Sequence, residues 1–191
     1  MRATLGAYVR ERMPVAIFGP AIALLTLAAV WTAGSADSLR AWTMCGGLIA
    51  LMVLQFRLWD DVEDRERDRT DHPDRLVVRT DAAPFRIWIA ALASFSLLAS
   101  LLAGGVGTFV GVVALNTAAL AAYRAVRRQV APVVWRFVIL LAKYPAFVAV
   151  AASAVGDLRA DRAVPAAALA YLSACIYEAV HTRVATAGVH S

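Results

Sequence analysis

Residues 13–33 run without a charged side chain, and predominantly apolar runs of similar length follow at 41–59, 84–103, 107–123, 131–155 and 165–181. A helix needs about 20 apolar residues to cross the hydrocarbon core of a bilayer. Inside that core every backbone N–H and C=O must be satisfied within the segment, which leaves helices and closed barrels as the options. Uninterrupted apolar runs lack the alternation of barrel strands. The expected fold is therefore all-α, a polytopic membrane bundle of about six helices forming a single domain over residues 1–191. The remaining composition agrees: 61% of residues are hydrophobic and 17% charged, with a mean hydropathy of +0.65.

The charges fall between the runs. Eighteen arginines and one lysine against fourteen acids give a net charge of +5. Lys and Arg concentrate in the cytoplasmic loops of membrane proteins. With six crossings, fourteen basic residues fall on one side (the N-terminal tail, residues 57–86, the 124–128 break and Arg183) and three on the other (Arg40, Arg159, Arg162). Both termini are expected in the cytoplasm of an inner-membrane protein. Neither a cleavable leader nor a nucleic-acid module is expected, since no basic stripe with interleaved aromatics occurs. Cys45 and Cys175 fall within apolar runs and read as packing residues.

Eight of the fourteen acids lie between Asp60 and Asp74. On a helix Asp60, Asp64 and Asp68 stand at i, i+4 and i+8 and share a face. Like charges at that spacing repel, so a compensating cation is required. Arg65, Arg67 and Arg69 could supply it as local ion pairs on a solvated face. A divalent ion is the sharper alternative: Mg²⁺ takes carboxylate oxygens, retains waters and completes its shell with phosphates. Asp60, Asp61, Asp64 and Asp68 are the candidate ligands. The 60–83 segment is expected as a cytoplasmic loop.

Further candidates share that side. Arg57 and Arg75 flank the acids, and Tyr123, Arg127 and Arg128 end the fourth run, where guanidinium groups suit a diphosphate or act as interfacial anchors. Glu178 and His181, at i and i+3, could add a ligand or base. Arg136 and Lys143 lie seven residues apart in the fifth run, where charge is expensive and usually functional. Either could reach an anionic substrate or an acid on a neighbouring helix. Asp157 and Asp161, on the opposite side with Arg159 and Arg162, read as a solvated loop.

The pattern Asp60-Asp61-x-x-Asp64-x-x-x-Asp68, followed by Pro73-x-Arg75-Leu76 and later by Tyr123-x-x-x-Arg127-Arg128, resembles the UbiA superfamily of intramembrane prenyltransferases. That family's signature reads Asn-Asp-x-x-Asp-x-x-x-Asp with a Pro-x-Arg-Pro tail, and Tyr-x-x-x-Lys-Arg after its fourth span. The resemblance implies Mg²⁺ held by Asp60, Asp61, Asp64 and Asp68, and a prenyl diphosphate contacted by Arg57, Arg75, Tyr123, Arg127 and Arg128. It implies prenyl transfer to an aromatic or lipid acceptor, with Asp64, Asp68, Glu178, His181 and Lys143 as candidate catalytic residues. The chain departs from the family at Asp60 and Leu76. It also has six expected spans against about nine, and Glu178 and His181 where a second aspartate-rich motif would stand. A partner subunit or oligomer could complete such a short form. The alternative is a non-catalytic relative acting by binding or assembly. A CDP-alcohol phosphotransferase is set aside, because that family's Asp-Gly-x-x-Ala-Arg motif is absent.

Overall fold

The structure, a computed structural model, describes residues 4–128 and 140–187, with the side chains of 4–125 and 140–177. Among them it is all-helical: α1 (Leu5–Arg12), α2 (Val15–Ala33), α3 (Leu39–Glu63), α4 (Arg65–Asp71), α5 (Leu76–Arg79), α6 (Ala83–Arg128), α7 (Lys143–Ser153) and α8 (Ala160–Ala187). Short polar residues open several of them by accepting an otherwise orphaned backbone N–H. Thr4 caps Ala7 and Ser38 caps Ala41, each at 3.2 Å, and Asp81 Oδ1 accepts from the Ala83 N–H at 3.1 Å.

Helix α6 is two arms. At Gly105 the backbone takes φ 71°, ψ −160°, a region open essentially to glycine alone, and the chain doubles back. Two pairs of contacts demonstrate the reversal. Buried Gln55 of α3 hydrogen-bonds to Ser96 on the first arm and to Asn116 on the second. Phe85 at one end and Tyr123 at the other both return to the acidic end of α3, through Tyr8 and Asp60 respectively.

Helix α3 is central, packing on α2, α6 and α7, while α7 also contacts α2, α6 and α8. Ile49, Met52 and Phe56 of α3, Ala29 and Val30 of α2, and Phe147 and Ala151 of α7 are fully buried or nearly so. The bundle has two polar ends. At one lie Asp60, Asp61, Tyr8 and Tyr123. At the other, Arg162 donates to the Trp31 carbonyl at 3.1 Å and Thr108 to the Ser153 carbonyl at 3.0 Å.

Among the described residues three helical stretches, Val15–Ala33, Leu39–Glu63 and Ala83–Ala125, are long and apolar enough to cross a membrane. Phe95, Leu98, Leu102 and Val106 on α6 and Leu172 and Ile176 on α8 are exposed. Apolar surface on that scale belongs against lipid or protein, not water. The chain is thus a helical bundle with the character of a membrane protein.

The segment expected as a loop is mostly helical. Helix α3 runs on to Glu63, one turn past the apolar run, with Trp59 donating to Glu63 at 3.2 Å. Arg65 then ties α4 to α5 by donating to the carbonyls of Val77 (2.8 Å) and Val78 (3.4 Å) and to that of Thr80 at 2.6 Å. The backbone at Asp64 is only slightly off helical, so the four-residue hydrogen-bond rhythm persists: Asp64 N–H to Asp60 O and Asp68 N–H to Asp64 O, both 2.9 Å.

Candidate functional site

The acids cluster at one end of α3, yet they do not point at one spot. Asp60, Asp61, Asp64 and Asp68 each have their own cation. Asp61, buried, receives Nε and Nη2 of Arg12, each at 3.0 Å, and the hydroxyl of Tyr8 at 2.8 Å. Arg57 stands 3.4 Å from the same carboxylate, with its own Nε buried and unpartnered. A two-pronged guanidinium–carboxylate contact is among the strongest polar contacts a protein makes. Burial first, then the Asp61 carboxylate, pushes the Tyr8 hydroxyl far above its ordinary range, so it remains a donor. Glu11 completes this latch by accepting the Leu76 N–H at 2.8 Å, which anchors α1 across α5.

Asp60 faces the other way. It accepts from the Tyr123 hydroxyl on the second arm of α6 and from the ammonium of Lys143 on α7. The Lys143 side chain is 10% exposed and that of Asp60 18%, so the pair lies in a medium where charge interactions are strong. Of the two alternatives for Lys143, an anionic substrate or an acid on a neighbouring helix, the structure shows the second. Asp68, buried, is held by Arg75. Asp64 has only Arg67, at 3.0 Å, with both side chains about half exposed. Burial, reinforced by the negative charges of Asp60, Asp68 and Asp61, holds the Asp64 carboxyl above its ordinary range despite Arg67.

Behind Asp60 opens a cavity of about 540 Å³ between the second arm of α6 and α7. Tyr123 and Lys143 line it at the Asp60 end, with Phe56 on one wall and Gly111 and Val150 at the far end. Its walls are mainly alanines, among them Ala114, Ala118 and Ala146. A chain of rings borders the polar end: Tyr144, Phe147, Phe56, Trp59 and Tyr123 contact in sequence at 5.2–5.8 Å between centroids. The arrangement is an apolar slot capped by one ammonium, one phenol and one carboxylate, which suits an amphiphile with an anionic head.

Asp60, Asp61, Asp64, Asp68, Arg57, Arg75, Tyr123 and Lys143 therefore share one end of the bundle, divided between two neighbouring centres around Asp61 and Asp60. Arg127 and Arg128 end α6 on that same side, and Glu178 and His181 lie in α8; the side chains of all four are outside the described residues, as is Arg136 entirely. Asp161, on the opposite end, pairs with Arg159 at 3.6 Å, both exposed. Tyr8, Glu11 and Arg12 were not legible as site residues. Their signal is the i, i+4 spacing of Tyr8 and Arg12 on a short helix just before the first apolar run.

Among the described residues no three His, Cys, Asp or Glu side chains converge as a metal-binding group. Mg²⁺ commonly uses only one or two carboxylates together with phosphate oxygens. Asp64 is half exposed and paired with Arg67, with the negative charges of Asp60 and Asp68 nearby. No protein-family model, no curated protein and no solved structure matches this chain.

Proposed function

We propose that this chain is a membrane protein that binds a prenyl diphosphate and transfers its isoprenyl group to an aromatic or lipid acceptor, in the manner of the UbiA superfamily. The observation that carries the reading is the apolar slot that ends at Tyr123, Lys143 and Asp60, one helical turn from Asp64. An isoprenoid chain fills the slot, and its diphosphate lies over the acidic end of α3.

Lys143 has N–H groups beyond the one it gives Asp60 to offer at the mouth, and Arg57 an Nε that no described residue takes up. Asp64, with Asp60 or Asp68, would hold Mg²⁺, whose contribution is to neutralise charge on the departing diphosphate. In the transfer the allylic C–O bond breaks and its electron pair leaves on the diphosphate oxygen. The acceptor's nucleophilic atom supplies the pair for the new bond and loses its proton to a base. Positive charge develops on the allylic carbon, and the ring faces of Phe56 and Tyr123 lie beside the slot where they can stabilise it.

A second reading draws support from the pairing of the acids. Asp60, Asp61 and Asp68 are already neutralised within the fold, which suits a non-catalytic relative that binds a lipid or a partner subunit and uses the acidic end as structure.

Binding of a C20 prenyl diphosphate to the purified protein, with and without Mg²⁺, separates the two. The transferase reading expects Mg²⁺-dependent binding that falls at least tenfold in Asp64→Asn and Asp68→Asn, and diphosphate release when phenolic acceptors are added. Binding indifferent to Mg²⁺ and to both substitutions would sink it.

A further inference from the structure

We propose that the slot between the second arm of α6 and α7 measures its isoprenoid, accepting a chain of three to four C5 units and ending at a floor made by Gly111 and Val150. The inference rests on the prenyl diphosphate reading of the same slot and adds the substrate's length.

The two ends of the slot are fixed by different contacts. At the mouth Tyr123 and Lys143 meet on Asp60. At the floor the helices close: a Cβ added to Gly111 would stand 3.4 Å from Cγ2 of Val150. Just beyond, Thr108 hydrogen-bonds to the Ser153 carbonyl and lies 3.2 Å from its hydroxyl. Twelve residues of α6 separate Gly111 from Tyr123, about 18 Å at the helical rise. An extended C5 unit contributes four carbon–carbon bonds of about 1.5 Å, or roughly 5 Å along the chain. Three units span about 15 Å and leave room for the bend at the head; a fourth brings the extended length to about 20 Å, so it presses on the floor and stays above it only by bending.

The width is equally informative. Small residues on facing membrane helices ordinarily let the backbones close up. Here Ala114 and Ala118 face Ala146 and Ala149, and a volume of about 540 Å³ remains between them. Spread over ~18 Å of helix, that volume averages roughly 30 Å² in section, room for one branched hydrocarbon chain.

The test is equilibrium binding of a C10, C15, C20, C30 and C45 prenyl diphosphate series to the full chain in lipid nanodiscs, with Mg²⁺ present. Affinity is expected to rise at least tenfold from C10 to C20 and to gain nothing further at C30 and C45. Ala114 lies nine residues from Tyr123, about 13.5 Å into the slot, beyond the roughly 10 Å reach of a C10 chain and within that of C20. Ala114→Phe should weaken C20 at least tenfold and leave C10 within threefold. Val150→Ala, which lowers the floor with little risk to folding, should move the optimum to a longer chain. An affinity that keeps climbing to C45 in the unsubstituted protein overturns the inference. So does Ala114→Phe weakening every length alike while melting normally. Binding that is lost in Lys143→Met yet indifferent to length overturns the ruler and keeps the prenyl diphosphate reading. Failure of every length to bind removes both.

Discussion

Asp60 and Lys143 set the terms at the scale of single residues. The chain has one lysine, and it sits on an acid across the bundle, with both side chains mostly out of solvent. Removing one partner of a buried pair strands the other charge and typically costs 3–5 kcal/mol, whereas removing both together can be nearly neutral. Lys143→Met should lose about 3 kcal/mol in denaturant unfolding in detergent. Lys143→Met combined with Asp60→Asn should recover most of that loss. A double variant as unstable as the single would show that the two side chains are not coupled. Asp64 behaves in the opposite sense. Its folded carboxyl titrates above the ordinary range because of burial and the surrounding acids, so the folded state binds the proton more tightly than the unfolded chain. Stability contributed at this residue is present at low pH and is lost as pH rises from the ordinary carboxylate range through the raised one. Asp64→Asn should therefore melt slightly higher than the unsubstituted protein at pH 7 without divalent ions, and at the same temperature near pH 3. Solvent around the half-exposed side chain keeps the difference small. Added Mg²⁺ should raise the melting temperature of the unsubstituted protein alone; an equal rise in Asp64→Asn places the ion elsewhere.

At the scale of elements, the glycine pair in α6 decides whether one long helix becomes two arms. Gly105 is needed for its dihedrals, and Gly104 for space: a Cβ there would stand 2.5 Å from the Ala154 Cα. Gly105→Ala should cost roughly 1–3 kcal/mol through backbone strain, measured as a drop in thermal stability. Gly104→Ala should cost at least as much, because backbone must move. If both are neutral, the reversal does not depend on these residues. The Gly104-Gly105-Val106-Gly107 run made this hairpin readable in the sequence, as the apolar runs did for α2 and α3. The helical end of α3 was not readable, because Asp60-Asp61-Val62-Glu63 is polar and poor in helix signals. What makes it helical is tertiary: Arg12 and Tyr8 on one side of the turn, Tyr123 and Lys143 on the other. The acidic residues were legible as a group and their partners were not. Spacing along one chain says which side chains share a face, while Lys143 lies 83 positions from Asp60.

For the whole molecule, side-chain contacts divide the described loops between two ends independently of any charge count. Tyr8 on Asp61, Phe85 on Tyr8 and Tyr123 on Asp60 bring the starts of α1 and α6 and the ends of α3 and α6 together. At the other end, Gly156 lies 3.1 Å (from an added Cβ) from the Ala33 carbonyl, and Arg162 reaches Trp31. Among the described residues the arginines follow the same division, thirteen with the first end and three with the second. Moving a cationic loop across a bilayer is unfavourable, so the orientation we propose keeps the arginine-rich end in the cytoplasm. The same orientation opens the slot's mouth to a cytoplasmic diphosphate, as the prenyl-transfer reading requires. The check is cysteine labelling in a background carrying Cys45→Ala and Cys175→Ala, with Asp74→Cys at the acidic end and Asp157→Cys at the other, both exposed positions. An impermeant maleimide added to intact cells should label Asp157→Cys and spare Asp74→Cys, and inverted membrane vesicles should give the reverse. Labelling of Asp74→Cys from outside would put the acidic end beyond reach of a cytoplasmic diphosphate, and the prenyl-transfer reading would fall with it.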